Sequence, residues 1–194
     1  MTTAPDWVED HFIAGDVALD FANTVYQRWP ELGADLLSLT EALGTWLTRA
    51  RLLPASSDLA DRAHAVPAVI TDVGLEKART LRALLWEVFD AQKDGHTIPA
   101  HAFEGLLDTA RRGIAHVAVS PDGSMTSRDA DGAFTILALR AITLVLNPPP
   151  RGVRACDRCG WFFIDSSRGR RRRWCSMKTC GNQAKAARYR STHP

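Results

Sequence analysis

The sequence predicts an α+β chain: a predominantly helical N-terminal domain with a small β-hairpin, followed by a small C-terminal four-cysteine zinc finger. Three observations carry that expectation. Apolar residues recur at helical intervals over much of the first 146 positions. One β-branched stretch runs into a Pro121-Asp122-Gly123 turn. All four cysteines lie beyond the run Pro148-Pro149-Pro150, which cannot continue a helix and favours an extended, semi-rigid spacer.

These features divide the chain into residues 1–147, a linker at 148–151 and a finger at 152–194. The prolines are expected to limit packing between the two parts. Positions 17–25 form a short apolar segment of open type. Ser38 and Glu41 have the spacing of a capping box, after which Leu39, Leu43, Trp46, Leu47 and Ala50 recur helically until Pro54. Positions 55–68 read as an irregular connection or a weak helix. The clearest amphipathic helix spans 75–93, with Leu75, Ala78, Leu81, Leu85, Val88 and Phe89 on one face and Gly95 ending it. Pro99 opens another, with Phe103, Leu106, Leu107 and Ala110 expected inward and Gly113 as its stop. Positions 114–119 and 124–128 are the expected hairpin strands. Asp129 or Asp131 then caps an apolar helix ending near Leu146. That stretch carries Arg140 and is shorter than the ~18–20 residues of a membrane span, so a buried helix is expected. No secretory signal is visible, which places the expected location in the cytoplasm.

Charge is distributed unevenly. The chain as a whole carries +2, but residues 1–150 hold 12 Lys/Arg against 20 Asp/Glu, a net of −8, and residues 151–194 hold 12 Lys/Arg against 2 Asp, a net of +10. Such asymmetry points to a polyanionic partner for the C-terminal part.

Cys156 and Cys159 form a C-x2-C pair, and Cys175 and Cys180 a C-x4-C pair after fifteen intervening residues. Two short-spaced pairs bring four soft ligands together in the tetrahedron that Zn²⁺ prefers. Disulfides are not expected in a cytoplasmic chain whose cysteines cluster beside basic residues, and no βαβ setting precedes Cys156 for a redox pair. One structural zinc ion is therefore expected, because four thiolates leave no open position for a substrate. Gly160 and Gly181 suit turns that aim backbone amides at thiolates. Trp161, Phe162, Phe163 and Trp174 read as a mini-core around the metal, with base stacking by a tryptophan as the alternative.

Between the pairs run Arg168, Arg170, Arg171, Arg172 and Arg173. Beyond them, 182–190 reads as a short helix presenting Asn182, Lys185, Arg188 and Tyr189 on one face, with Ala184 and Ala187 turned to the zinc core and Arg190 near its end. Arginine forks fit phosphates and guanine edges, and Asn can read adenine.

At these residues the chain resembles a known family. The Cys-x2-Cys…Trp-Cys-Ser-Met…Cys-Gly-Asn pattern is similar to the CGNR-type zinc finger of bacterial, often actinobacterial, transcription regulators. Ala18-Leu19-Asp20-Phe21-Ala22-Asn23-Thr24 resembles the signature of the ABATE domain that accompanies this finger. The motif's closing Arg is Gln183 here, which keeps hydrogen-bonding capacity but loses the charge. The resemblance implies DNA binding in transcriptional control, with double-stranded DNA as the partner.

Other readings remain open from the sequence. The same finger could bind RNA or the ribosome. Alternatively, a small-molecule-binding or enzymatic N-terminal domain could use the finger as an oligomerisation device. Asp20 and Asn23 could line a pocket for an effector, or bond local backbone. A homodimer is compatible with either reading. No phosphate-cradling glycine loop or nucleophile elbow is present, so an enzyme is not expected.

Overall fold

The computed structural model describes residues 5–54 and 70–192; the expectation for 55–68 falls outside them. The 17–25 segment folds as a short helix, α1 (Val17–Ala22), because Asp16 caps it by accepting from the Ala18 N–H at 2.9 Å. Helix α2 (Thr40–Arg49) begins one residue later than the capping-box spacing implied. Leu39 is its N-cap, in extended backbone and without a side-chain bond. The Asp35 carboxylate accepts from the Leu37 N–H at 2.9 Å, and Leu37, Leu43, Trp46 and Leu47 are buried together. Packing thus sets the helix start ahead of the Ser38 hydroxyl.

Helix α3 (Asp72–Asp94) is capped by Thr71, which accepts from Gly74 N–H, and closed by Gly95 at φ +70°. Its 23 residues span about 34 Å and form the spine on which other elements rest. Helix α4 (Ala100–Gly113) follows Pro99 as expected, but buries Ala102, Leu106, Ala110 and Gly113. Leu107 lies outside that i, i+4 stripe and is 49% exposed, against expectation. A 3₁₀ turn at Ile114–His116 takes the first half of the expected strand. Only β1 (Val117–Val119) pairs with β2 (Met125–Ser127), antiparallel, with Ala118 opposite Thr126.

Asp129 caps α5 (Ala130–Leu146) by accepting from Gly132 N–H. This helix is buried on most sides and packs most extensively on α4. The contact is close because Gly113 lacks a side chain: a Cβ there would lie 2.3 Å from the Asp131 carbonyl oxygen. Arg140 ties α5 to α1 by donating to Asp16 at 2.5 Å. No helix among the described residues is long and apolar enough to cross a membrane.

After the prolines, β3 (Val153–Ala155) and β4 (Phe162–Ile164) form a second antiparallel hairpin. A π-helical turn (Met177–Gly181) then leads into α6 (Asn182–Thr192). The proline run does not limit shared packing. Val153, Phe162, Phe163 and the four cysteines belong to the same buried cluster as the helices. Phe162 meets Phe89 of α3 edge-on at 5.6 Å, so the mini-core around the metal is part of the main core. A finger of this length has too little volume to bury two phenylalanines by itself.

Candidate metal centre and nucleic-acid interface

The zinc site begins with two turns. Cys156 follows β3, and the chain reverses through Gly160 at φ +73° before β4. The Cys156 N–H donates to the Trp161 carbonyl and the Gly160 N–H to the Cys156 carbonyl. The backbone amides of Cys159 and Trp161 point at the Cys156 and Cys159 sulfurs. Cys175 precedes the π-helical turn and Cys180 lies within it; the turn's N-cap Ser176 accepts from Thr179 N–H. The Gly181 N–H donates to the Ser176 carbonyl at 2.9 Å and so closes this turn instead of aiming at a thiolate.

All four cysteines are buried, and their sulfurs lie within 4.8 Å of one another. The Cys159–Cys175 and Cys175–Cys180 sulfurs are 3.7 Å apart, against about 3.8 Å along the edge of a tetrahedron with Zn–S bonds of ~2.3 Å. Four thiolates at this density need a divalent cation to balance their charge. Cys156, Cys159, Cys175 and Cys180 are the zinc ligands, and with four sulfurs bound the ion is structural.

The N-terminal segment is bonded directly to this knuckle. The Asn23 side chain acts as a strand for β4: its Nδ2 donates to the Phe162 carbonyl at 2.8 Å, and its Oδ1 accepts from the Phe162 N–H at 2.8 Å. The Cys159 carbonyl accepts from the N–H groups of Arg28 and Trp29 at 2.7 and 3.2 Å. Trp161 Nε1 donates to the Val25 carbonyl at 2.9 Å, which gives that indole a role in joining the two segments. Arg28 stacks on Phe162 with 4.1 Å to the ring centre and pairs with Asp90 at 2.6 Å.

Asp20 is buried, and its Oδ1 accepts from the Ala14 N–H at 2.8 Å. Burial pushes its carboxyl up to about 7, reinforced by Asp16 and opposed by the bond from Ala14. Asp20 and Asn23 thus hold backbone groups, and the amide of Asn23 has both ends engaged.

The arginine run separates into two groups. Arg172 is built into the fold: its N–H donates to Asp165 at 2.8 Å, its guanidinium reaches the Cys175 carbonyl, and it stacks over Phe163 at 5.0 Å. Arg173 pairs with Asp157 at 2.6 Å and lies over Trp174. Among the described residues, Arg168, Arg170 and Arg171 engage no side-chain partner and are exposed at the loop tip. The loop is pinned at its base by Asp165, whose carboxylate also accepts from the Ser167 N–H and hydroxyl at 3.0 and 2.6 Å. Burial works against that carboxylate, but the bonds from Ser167 and Arg172 and the charge of Arg172 hold it below the usual range. Sequence reading passed over Asp165, although Asp165-Ser166-Ser167 has the form of an Asx turn.

Helix α6 buries none of its residues. Lys185, Arg188 and Arg190 are exposed. Asn182 donates to the Lys178 carbonyl at 3.2 Å, so part of its amide closes the preceding turn. Ala184 is half-buried, but Ala187 is exposed and does not face the zinc core as expected, because the helix leaves the body one turn after Cys180. Gln183 turns towards a cleft of about 230 Å³ beside Cys159, Trp161 and His11. Lys185 and Arg188 line a different cleft, of about 510 Å³, together with Arg158, Trp174 and Trp29. Arg158 and Trp29 were not singled out in the sequence. Arg158 sits inside the first knuckle, where its basic charge was a visible signal, whereas Trp29 is far away in sequence.

Residues 153–193 match the CGNR zinc finger. Residues 15–148, well over half of the chain, match the family ABATE, described as "Putative stress-induced transcription regulator". The chain belongs to the ABATE family. No curated relative matches it. In this ABATE-family chain the Ala18–Thr24 motif receives a structural meaning: Asp20 holds Ala14, Asn23 clamps Phe162, and the carbonyl and hydroxyl of Thr24 accept from the buried Arg82 at 2.9 and 3.1 Å. The family's description is thus that of a regulator of transcription, and in this chain the ABATE part is followed by a zinc finger.

Proposed function

We propose that this chain is a non-enzymatic transcription regulator whose finger binds double-stranded DNA. The observation that carries the proposal is α6: an ordered helix with no buried residue that exposes Lys185, Arg188 and Arg190, in a finger whose intervening loop also exposes Arg168, Arg170 and Arg171. The 11 residues of α6, about 16 Å long, suit a major groove ~12 Å wide. The zinc ion contributes by fixing the root of the helix, and no catalytic role is assigned to it.

In this reading the loop tip contacts phosphates and positions the protein, and Lys185 and Arg188 read base edges. With about five engaged cations, the log–log dependence of affinity on salt should have a slope near −4 to −5. Replacing Arg168, Arg170 and Arg171 together by alanine should make the slope shallower by roughly 2 to 3 and weaken all sequences alike. Lys185 and Arg188 variants should instead change the ranking of sites. The measurement is a salt titration by fluorescence anisotropy, using a duplex selected from a random library and its scrambled counterpart. A wild-type slope near zero would reject DNA binding, and an unchanged site ranking in the α6 variants would reject base readout by this helix.

A further inference from the structure

We propose that the DNA-contacting surface is composite: Trp29 and Pro30 of the N-terminal segment form one wall of a cleft whose other wall is α6. This rests on the reading of the finger as a duplex-binding module and adds to it a contact from outside the finger. Trp29 is 61% exposed, yet its backbone is fixed. Its N–H and that of Arg28 both donate to the carbonyl of the zinc ligand Cys159, and Arg28 is anchored by Asp90 and by the face of Phe162. Gly160 allows that approach, since a Cβ there would lie 3.0 to 3.1 Å from atoms of Arg28 and Trp29. A large apolar ring is therefore held out to solvent on a rigid support attached to the metal knuckle.

The cleft facing this ring holds about 510 Å³. Arg158, Arg173, Lys185 and Arg188 line it against a single carboxylate, Asp157, which Arg173 already neutralises at 2.6 Å. An apolar protein segment docking on Trp29 would have to bury or displace those cations. A polyanion with apolar faces between its charges meets both requirements, and duplex DNA has that form. The indole and Pro30 pack on deoxyribose and base edges while the flanking cations take phosphates.

The test uses the full-length, zinc-loaded protein and the selected duplex. Trp29→Ala should weaken binding by roughly tenfold, the scale of a tryptophan anchor, and leave the salt slope unchanged because no charge is lost. Trp29→Phe should restore most of the affinity. The duplex-induced change in tryptophan emission should be smaller in Trp29→Phe than in wild type at equal saturation. Equal binding by wild type and Trp29→Ala overturns the composite surface and leaves DNA binding by the finger standing. A change in oligomeric state on sedimentation, with DNA affinity unaltered, overturns it likewise and identifies the ring as a contact between copies. If wild type itself shows no salt-dependent binding, the functional reading fails and this proposal with it.

Discussion

Asp20 and Asn23 lie three positions apart at one short helix, and their chemistry was legible in the sequence only as two polar residues in an apolar segment. Burial and hydrogen bonding to backbone were one of two readings. The specific partners were not readable, because Phe162 is 139 positions from Asn23 and no local pattern encodes that pairing. Asp20 carries a testable consequence. Its carboxyl is held up to about 7 from an ordinary value of 3.8, so the folded chain keeps a proton that the unfolded chain releases. Stability should therefore fall as pH rises from about 4 to about 7 and change no further above that through this group. Asn at this position can still accept from Ala14 but cannot ionise. Urea midpoints measured across that range should show Asp20→Asn gaining on wild type as pH rises, with the gap levelling off above about 7. A gap that is constant with pH would show that Asp20 is ionised in the folded protein at acidic pH.

At the scale of elements, helices were legible where a long apolar stripe met a clear stop: Gly95 ends α3 as expected, although the helix, capped by Thr71, starts three residues ahead of the expected position 75, and Asp129, one of two candidates, caps α5. The short pieces were not. The 3₁₀ turn at Ile114–His116 and the π-helical turn at Met177–Gly181 depend on tertiary contacts and metal ligands more than on residue periodicity. The four zinc ligands were legible from spacing alone, whereas the division of the arginine run was hidden, because it depends on Asp165 and Asp157 reaching specific members. The turn through Gly160 links knuckle and N-terminal loop, and Gly160→Ala tests that link. At φ +73°, with Arg28 Cβ 3.0 Å from the added methyl, the substitution should cost about 1–3 kcal/mol. The Trp29 loop should become more accessible to hydrogen exchange while zinc stoichiometry stays at one per chain. A change within ~0.5 kcal/mol, the range of neutral surface substitutions, would show that the contact yields without cost.

For the whole molecule, the charge asymmetry and the proline run suggest two separate parts, and the chemistry of the interface overrides that suggestion. Prolines stop a helix, but they do not prevent the hairpin beyond them from folding back onto α1 and α3. Zinc should therefore stabilise more than the finger. Cys175→Ser, or chelation at fixed pH, should lower the thermal transition of the α-helices as well, with a loss of ~3 kcal/mol shifting it by on the order of 10 °C. Circular dichroism at helical wavelengths and tryptophan emission should move together. A helical transition unchanged by metal removal would show that the shared core adds nothing to the N-terminal part.

The Asn23–Phe162 clamp also bears on how the protein is made. A chain leaving the ribosome exposes Asn23, Arg28 and the face of Phe89 long before the residues that cover them are synthesised. Translation that halts at the prolines would release a helical body with an open apolar seam, a substrate for chaperones and proteases. Closing the metal knuckle, which needs the late Cys175 and Cys180, thus covers a part of the chain that emerged much earlier.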